Sequence, residues 1–395
     1  MWIYLYAIDN RGRGLENGQG PVGANGLKIL HVEAGRNLYG GTRQALYLMQ
    51  GLADRGHHNA LICPAGSDLA QAAAACAEVS PMVMGGDLDL RLIPGIRRYL
   101  RSRRPHLVHL HGRVGADVMG GIACRLEGVP VVYSRRVDNP EPRWMVALKY
   151  RLHDRVIAIS EGIGWVLLAA GLPREKLRLV RSAVEWKRFD RPCNRELLTR
   201  GLGVPMEARS IGIIAQLIPR KGHRFLIDAL PPLVDEFPHL RVLIFGKGPL
   251  EPDLRRQVAR VGLADRVQFL GFRDDLPELL PCLDLLVHPA TMEGLGVSLL
   301  QAASAGVPIV ASAVGGIPEA VRHGVNGLLL PPEDPQALGT AVATVLRDRQ
   351  LAWQLGAAGR ELMRSEFSVD TMVEGNLAVY RELLAESALV PEKVR

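Results

Sequence analysis

Residues 291–319 read TMEGLGVSLLQAASAGVPIVASAVGGIPE, and this stretch of the chain decides the fold. Small residues follow Glu293 and open a helix predicted at about 295–305, and a short strand then leads to a second glycine turn at Gly315–Gly316. Two helices that each begin after glycines place free backbone N–H groups and positive dipole ends side by side, which favours a diphosphate or another anion. Because the carboxylate of Glu293 repels an anion, we expect it to accept hydrogen bonds from hydroxyls attached to that anion. A sugar nucleotide meets both requirements.

This stretch resembles the nucleotide-sugar site of the family 4 glycosyltransferases, a large retaining family with two Rossmann-like lobes, the GT-B fold. The pattern of that family is a Glu, seven residues and a second Glu, followed by a small-residue helix, G-x-P-V-V, G-G and P-E. Glu293 occupies the first Glu position, but the eighth residue after it is Gln301. The other matches are Ala302, Ala303, Gly306, Pro308, Gly315, Gly316, Pro318, Glu319, Gly324 and Gly327. The resemblance extends from about residue 27 to residue 386.

Short apolar runs alternate with longer helical patterns along the whole chain, which predicts parallel sheets with crossover helices. The strands predicted in the first half are Lys28–Val32, Asn59–Cys63, Leu107–Leu110, Val129–Tyr133, Val156–Ile159 and Leu177–Val180. Those predicted in the second half are Ser210–Ala215, Arg241–Phe245, Val267–Leu270, Leu283–Val287, Val307–Val310 and Gly327–Leu330. Six strands suffice for one doubly wound sheet. The predicted fold class is therefore α/β, with two Rossmann-like doubly wound lobes that face a central cleft.

The predicted organisation has four parts. Residues 1–26 are expected to be a disordered extension, and residues 27–190 a Rossmann-like domain on the acceptor side. Residues 191–369 are expected to bind the nucleotide sugar, and residues 370–395 to carry a helix that crosses back to the first lobe. Open α/β sheets bind ligands at the carboxyl ends of their strands, so the site is expected in the cleft.

The positive charge of the chain is unevenly distributed. Residues 1–190 contain 26 Lys and Arg against 17 Asp and Glu, whereas residues 191–395 contain 22 against 24. A basic first half fits anionic lipid head groups or a phosphorylated acceptor. Nucleic acid is disfavoured because no recognised motif accompanies the charge. The alternative is an arginine-rich surface that is simply solvated.

No metal, cofactor or membrane span is expected from the sequence. The acidic runs Asp87–Asp89 and Asp274–Asp275 imitate a metal-binding D-x-D, but we reject that interpretation, as we do for His106, His109 and His111, because a strand turns His106 to the opposite face. The five cysteines lack C-x-x-C spacing, which favours a reduced, cytosolic protein over a disulfide framework. No apolar run reaches 18 residues, and the first residues do not resemble a signal peptide.

The catalytic cations are predicted just before a helix of the second lobe. The segment SIGIIAQLIPRKG delivers Arg220 and Lys221 to the end of a strand, where two cations can neutralise the charge on a departing diphosphate. The resemblance assigns Lys221 to the diphosphate-binding Lys of the family. The position of the family's Arg is occupied by Gln216, so Arg220 is expected to replace it.

The resemblance also implies the remaining contacts to the donor and the acceptor. Glu293, Lys221, Arg220 and His111 are the expected catalytic residues, with His111 as the cleft histidine beside the donor sugar. The expected donor-binding residues are Gly40, Gly41, Gln216, Gly246, Leu270, Phe272, Gly294, Leu295, Gly296, Val297 and Gln301. The expected acceptor contacts are Arg113, Arg135, Arg136 and Asp138.

The resemblance implies metal-independent transfer of a sugar, with retention, from a nucleoside diphosphate sugar of UDP or GDP type to a glycan or glycolipid. The expected setting is envelope polysaccharide or lipopolysaccharide synthesis in the cytoplasm, with peripheral attachment to the inner membrane face left open. A nucleotide-sugar epimerase of the same fold and a non-catalytic sugar-nucleotide-binding protein are the alternatives. The non-catalytic alternative is suggested by Gln216 and Gln301, which occupy the positions of an Arg and a Glu in the family. The sugar, the base, the acceptor and the oligomeric state are not specified by the sequence.

Overall fold

The computed structural model describes residues 26–86, 89–112 and 115–389 of the chain. The strands of the first lobe are β1 (Lys28–Glu33), β2 (His58–Pro64), β3 (Glu78–Met82), β4 (Leu107–His111), β5 (Val131–Arg135), β6 (Arg155–Ala158) and β7 (Leu177–Leu179). Those of the second lobe are β8 (Arg209–Ile214), β9 (Leu240–Phe245), β10 (Val267–Gly271), β11 (Leu285–His288), β12 (Ile309–Ser312) and β13 (Gly327–Leu330).

Helices connect these strands in both lobes. They are α1 (Gly40–Ala53), α2 (Asp68–Ala73), α3 (Leu92–Arg103), α4 (Ala116–Glu127), α5 (Arg143–Lys149), α6 (Glu161–Ala169), α7 (Trp186–Phe189), α8 (Arg195–Leu202), α9 (His223–Glu236), α10 (Glu251–Arg260), α11 (Leu276–Leu279), α12 (Val297–Ser304), α13 (Ile317–Ala320), α14 (Pro335–Arg347), α15 (Arg349–Glu366) and α16 (Val369–Leu389). Short 3-10 turns lie at Tyr150–Leu152, Arg174–Lys176, Pro219–Lys221 and Leu280–Cys282.

Each lobe is built on one parallel sheet. The first sheet has the strand order β3-β2-β1-β4-β5-β6-β7, and the second has the order β10-β9-β8-β11-β12-β13. In each sheet successive strands are added first on one side of the starting strand and then on the other. The point where the order reverses is the switch point, which lies between β1 and β4 in the first sheet and between β8 and β11 in the second. The predicted fold class is confirmed. Ligands of such sheets bind beyond the carboxyl ends of the strands at the switch point.

The prediction of six strands in the first half is wrong, because β3 adds a seventh. The sequence of β3, EVSPM, contains Pro81 and lacks a buried apolar run, so its pattern does not indicate a strand. Proline is tolerated there because β3 is the edge of the sheet and pairs only with β2.

Helices cover both faces of the first sheet. The last helix of the chain, α16, packs beside α1 on one face, and α3 to α6 occupy the other. The apolar residues shared by α1, α16 and the sheet include Leu48, Leu52, Leu377, Tyr380, Ile29, Leu107, Val132 and Ile157. These side chains are buried because α1 and α16 each present one apolar stripe to the sheet.

The expectation that none of the cysteines is bridged is wrong for one pair. Cys193 and Cys282 form a disulfide, with their Cα atoms 4.8 Å apart, although 89 residues separate them in the chain. The segment before α8 passes the 3-10 turn that precedes β11, and this contact has no signature in the cysteine spacing. Cys63, Cys76 and Cys124 are free thiols.

The described part of the chain offers no candidate for a membrane span, since none of its helices combines sufficient length with sufficient apolarity.

Candidate functional site

The carboxyl ends of the two sheets face each other, and loops of the two lobes touch there. A Cβ atom added to Gly294 would lie 3.1 Å from the carbonyl oxygen of Arg136, and one added to Gly315 would lie 3.3 Å from Oδ2 of Asp138. The loops after β5 and β11 are therefore in contact across the cleft. The charged side chains of both lobes converge at this point.

Glu293 is the centre of the group contributed by the second lobe. Its Oε2 accepts hydrogen bonds from Nζ of Lys221 and from Nε2 of His288, the latter at 3.0 Å, and its Oε1 accepts one from the N–H of Gly294 at 3.2 Å. Burial alone would raise the pKa of Glu293, but the hydrogen bond and charge of His288, together with Lys221, hold it well below its usual range. Glu293 is thus a carboxylate at neutral pH.

The turn that carries the two cations is fixed to the loop of Glu293. The N–H of Thr291 donates to the carbonyl oxygen of Arg220 at 2.9 Å, and Nη1 of Arg220 donates to the carbonyl oxygen of Met292 at 3.4 Å. Gly222 ends the turn with φ of +70°, and a Cβ atom there would lie 1.8 Å from the carbonyl oxygen of Pro289. Only glycine allows this approach, which brings both predicted cations beside Glu293.

A cavity of about 210 Å³ is lined by residues of both lobes. Tyr39 of the first lobe and Phe272 of the second face each other at one side, with ring centroids 5.4 Å apart, and both rings are about half exposed. Gln301 and Val297 line the cavity from α12, and Gly40 lines it from the first lobe. A wider hollow of about 480 Å³ beside β13 contains none of the predicted site residues.

The other predicted donor residues do not line this cavity. Leu295 is buried, and Gly296 precedes α12 in the left-handed conformation, without a side-chain cap on the helix. The first N–H groups of α12 are therefore available to an anion. Gly246 lies against the carbonyl oxygen of Ala215, where a Cβ atom would be 1.9 Å away. Leu270 is partly buried, and the side chain of Gln216 is exposed.

His111 is fully buried beneath the first-lobe side of the cleft. Its Nδ1 lies 3.3 Å from Nη2 of Arg136, and its Nε2 lies 3.0 Å from Nδ1 of His31. Because a guanidinium only donates, His111 must donate from Nε2 to His31, and His31 then donates from Nε2 to Oδ1 of Asn59 at 3.2 Å. Burial lowers the pKa of His31 to about 4 and that of His111 well below its usual value, so both rings are neutral.

The imidazoles of His31, His109 and His111 lie close enough for a metal, with their ligand atoms within 4.8 Å of one another. All their ring nitrogens already have protein partners, however, since His109 binds the hydroxyl of Tyr380 at 2.6 Å and that of Ser134 at 2.8 Å. The donor set therefore fits a hydrogen-bonded network. His31 was not predicted from the sequence because it lies on another strand, opposite His109.

Arg136 and Asp138 are the charged residues of the loop after β5 that approach the second lobe. A Cβ atom on Gly41 would lie 3.1 Å from Cδ of Arg136, and the buried Nε of Arg136 has no hydrogen-bond partner. Burial raises the pKa of Asp138, as does Glu293, while Arg220 and Lys221 oppose that shift. Asp138 thus lies within electrostatic reach of the second-lobe group.

The other two predicted acceptor residues are placed differently. Arg135 is buried inside the first lobe, where it donates to Glu141 at 3.1 Å and to the carbonyl oxygen of Asn139 at 2.6 Å. It therefore supports the loop from within. Arg113 lies outside the described residues.

Besides His31, two residues of the site were not predicted from the sequence. Glu33 ends β1 beside the cleft, where Oε1 accepts from the N–H of Gly35 at 2.9 Å, and burial raises the pKa of this carboxyl to about 7. His288 ends β11 and binds Glu293. Both are polar residues at the carboxyl end of an apolar strand, and that position is the signal that could have indicated them.

Two family models match the chain, one in each half. Residues 39–188 match the family model for Glycosyltransferase Family 4, and residues 208–348 match that for Glycosyl transferases group 1. The chain is 31% identical over 299 residues to 2-deoxystreptamine glucosyltransferase of Streptomyces kanamyceticus, a match that covers 71% of this chain and 77% of the relative. It is 29% identical over 314 residues to the lipopolysaccharide core biosynthesis mannosyltransferase LpsB of Rhizobium meliloti, covering 74% and 88% of the two chains.

Solved structures share the fold of the chain. A glycosyltransferase of Rickettsia africae superposes with a TM-score of 0.82 at 19% identity, covering 91% of this chain and 99% of the other. HepE of Anabaena, solved in complex with UDP-glucose, superposes with a TM-score of 0.78 at 24% identity, covering 91% and 100%.

Proposed function

The chain belongs to the family 4 glycosyltransferases, Glycosyl transferases group 1, and from this premise we propose how its cleft transfers a sugar. The donor is a nucleoside diphosphate sugar, and the acceptor is a hydroxyl of a glycan or glycolipid. The observation that supports these roles is the convergence of Lys221, Arg220 and Glu293 beside the uncapped start of α12.

The diphosphate binds between the two cations and the first N–H groups of α12. When the bond from the anomeric carbon to the diphosphate oxygen breaks, its electron pair stays on the diphosphate, and Lys221 and Arg220 stabilise that charge. Lys221 donates a hydrogen bond to Glu293 in the structure. Donor binding gives the ammonium group a phosphate partner and frees an oxygen of Glu293 to accept a hydrogen bond from a sugar hydroxyl.

The acceptor hydroxyl attacks the anomeric carbon from the face that the diphosphate leaves, which retains the configuration. Its proton passes to a phosphate oxygen, so charge and atoms balance without a protein nucleophile. Arg136 and Asp138 border this face from the first lobe and are the proposed acceptor contacts. His111 acts through Arg136, because both its ring nitrogens are engaged.

The nucleoside binds in the cavity beside Phe272 and Tyr39. Gln301 lines this cavity and can hydrogen-bond the ribose hydroxyls, although a neutral amide forms a weaker contact than a carboxylate. The donor is of UDP or GDP type. The Anabaena structure contains UDP-glucose, and a relative from Mycobacterium tuberculosis is named a GDP-mannose-dependent mannosyltransferase, so each class has a precedent among the similar proteins.

The acceptor belongs to envelope glycolipid or polysaccharide synthesis, and the protein works at an anionic membrane surface. The Rhizobium relative is named for lipopolysaccharide core biosynthesis, and it matches most of both chains. The net charge of +9 on residues 1–190 supports the same setting.

The test is thermal stabilisation of the protein by UDP-, GDP- and ADP-sugars, followed by detection of nucleotide release. One base is expected to raise the melting temperature, and Lys221→Ala is expected to reduce that shift strongly. Lys28→Ala is the matched control, because Lys28 is an exposed lysine at the opposite end of β1. Stabilisation by a donor without nucleotide release would instead support a non-catalytic sugar-nucleotide-binding protein, and the absence of both with every donor would contradict the proposed function.

A further inference from the structure

The positive charge of the first lobe is concentrated in one segment of its sequence. Residues 91–151, which include α3, α4 and α5, contain 13 Lys and Arg against 4 Asp and Glu, a net of +9 that equals the excess of residues 1–190. We name the outward side of these three helices the basic face. Its exposed arginines are Arg91, Arg98, Arg101, Arg103, Arg104, Arg125, Arg143 and Arg151.

Four of these arginines are ion-paired: Arg91 with Asp89, Arg101 with Glu127, Arg103 with Glu78 and Arg125 with Asp154. The four acids within residues 91–151 offset little of the remaining charge at the surface. Asp117 and Asp138 are buried, and Glu141 binds Arg135 and Lys149 inside the lobe. The fourth acid, Glu127, accepts hydrogen bonds from Arg97 and Arg101 of α3. Among the described residues no ion pair involves Arg98, Arg104, Arg143 or Arg151, so these four exposed arginines present uncompensated positive charge to solvent.

The three helices form one continuous surface. Glu127 at the end of α4 connects to α3 through the two arginines, and Nη2 of Arg125 donates to the carbonyl oxygen of Arg151 at 2.8 Å. Arg151 belongs to the 3-10 turn that continues α5. The arginines of α3 and the outer side of α5 are thus parts of one face.

Apolar side chains project from this face at α5. Trp144 and Leu148 are 67% and 64% exposed, and Met145 lies beside them, while the side of α5 that faces the lobe holds Val146 and the ion-paired Lys149. Leu126 at the end of α4 is also exposed. A helix that buries a lysine and exposes a tryptophan and a leucine leaves apolar area in water, which favours a partner on that side.

We propose that the basic face docks on an anionic lipid bilayer, with Trp144, Met145 and Leu148 entering the head-group region. Tryptophan beside aliphatic residues suits the bilayer interface, and arginines around them suit anionic head groups. A lipid surface explains the combination better than a nucleic acid does, because the apolar projection is aliphatic as well as aromatic. The inference rests on the proposed function in one respect, which is that the acceptor is attached to a lipid.

Docking through this face places the cleft near the membrane. The loop of Arg136 and Asp138 runs directly into α5, which begins at Arg143. An acceptor anchored in the bilayer would therefore enter the cleft from the side on which α5 lies. Residues 191–368, which exclude α16, contain 19 Lys and Arg against 19 Asp and Glu, so the second lobe has no comparable attraction to an anionic surface.

The test is co-sedimentation of the full chain with vesicles of phosphatidylglycerol and phosphatidylcholine, compared with phosphatidylcholine alone. Binding is expected only to the anionic vesicles, with a strong decrease as salt increases. The triple variant Arg98→Gln/Arg143→Gln/Arg151→Gln is expected to weaken binding by at least an order of magnitude. The double variant Trp144→Ser/Leu148→Ser is also expected to weaken binding, and lowering the salt concentration is not expected to restore it.

Trp353→Ser is the matched control, because Trp353 is 71% exposed on α15 of the second lobe. Equal loss of binding in this variant, or no binding to anionic vesicles at low salt, would overturn the proposal. Binding of an RNA homopolymer without binding of vesicles would also overturn it. Donor-induced stabilisation, measured on the same samples, separates the two proposals, since vesicle binding without donor stabilisation contradicts only the proposed function.

Discussion

The cleft contains two carboxylates whose surroundings shift their pKa values in opposite directions. Burial dominates at Glu33 and raises its pKa, whereas at Glu293 the imidazole of His288 and the ammonium of Lys221 outweigh burial and lower it. The difference has a structural cause. Glu33 accepts hydrogen bonds mainly from backbone N–H groups, while Glu293 has a cation in direct contact. Substitution by glutamine removes the charge of each carboxylate with little change of shape. The effect of each substitution on stability therefore shows whether that charge is stabilising or costly.

Glu293→Gln is expected to lower kcat/KM by roughly 10²–10³ and to destabilise the protein by about 3–5 kcal/mol at pH 7, because Lys221 loses its buried counter-charge. A carboxyl with a lowered folded-state pKa contributes stability above about pH 4.5, and that contribution is lost as the pH falls towards the folded pKa. The difference from wild type, measured by denaturant unfolding, should therefore be smaller at pH 3.5 than at pH 7. An equal difference at both pH values would contradict the assignment.

Glu33→Gln is expected to show the opposite dependence. A carboxyl whose pKa is 4.5 in the unfolded chain and about 7 in the folded protein costs stability as the pH rises through that window. At pH 8 the variant should be more stable than wild type by up to about 3 kcal/mol, and at pH 4.5 the two should be nearly equal. Denaturant unfolding at the two pH values measures this. A variant less stable at pH 8 than at pH 4.5, relative to wild type, would show that Glu33 is charged and compensated.

The sequence allowed Glu293, Lys221 and Arg220 to be predicted because all three lie in short segments with recognisable spacing. It did not indicate His31, His288 or Glu33. Each of these joins the site through the register of neighbouring parallel strands, as when His31 lies opposite His109. Strand register depends on how whole sheets pack, so it leaves no local spacing to detect.

Among the elements, α6 has a particular role because it joins the first lobe to the glycine turn of the second. The N–H of Gly162 donates to Oε1 of Glu319 at 3.2 Å, and a Cβ atom on Gly162 would lie 2.8 Å from the carbonyl carbon of Gly315. Arg181 donates to the other oxygen of Glu319 at 3.0 Å. This contact exists only because both backbones lack side chains at the crossing.

Gly162→Val is therefore expected to hold the lobes apart at this point and to lower the transfer rate by about 10²-fold, because the two halves of the site no longer reach their mutual positions. Binding of the free nucleoside diphosphate should change little, since its proposed contacts lie mainly on the second lobe. Steady-state kinetics and calorimetry measure the two effects. Gly201→Ala in α8 is the control, because no atom lies within 4 Å of the added Cβ. Unchanged transfer by Gly162→Val would exclude this contact from catalysis.

The elements also show where periodicity in the sequence is informative. The strands beside the switch points, β1, β4, β8 and β11, were predicted within two residues of their observed bounds, because they are apolar runs buried on both faces. The edge strand β3 and the contact that joins Cys193 to Cys282 were not predicted. Both depend on residues whose neighbours come from distant parts of the chain.

The chain passes between the two lobes at two places, and the backbones of these two segments are hydrogen-bonded to each other. The N–H of Val184 donates to the carbonyl oxygen of Phe367 at 2.9 Å, and Val184 forms a parallel bridge with Ser368. After this point α16 leaves the second lobe and packs on the first. Arg155 and Arg178 of the first lobe bind Glu382, and Arg155 also binds Glu386. The last helix of the sequence is therefore, by its contacts, a part of the first lobe.

Tyr380→Phe tests that assignment. Tyr380 is fully buried, and its hydroxyl is the partner of Nδ1 of His109, so the variant leaves a buried imidazole nitrogen unpaired at a cost of about 1–3 kcal/mol. Hydrogen exchange is expected to accelerate in β1, β4, α1 and α16 together, because they share one apolar core, while the strands of the second lobe keep their protection. Faster exchange in β11 and β12 with no change in β4 would instead make α16 a part of the second lobe. If α16 belonged to the second lobe, opening of the cleft would break the packing of α16 on α1. With α16 fixed to the first lobe, opening requires the chain to bend near Val184 and near Ser368, where it passes between the lobes.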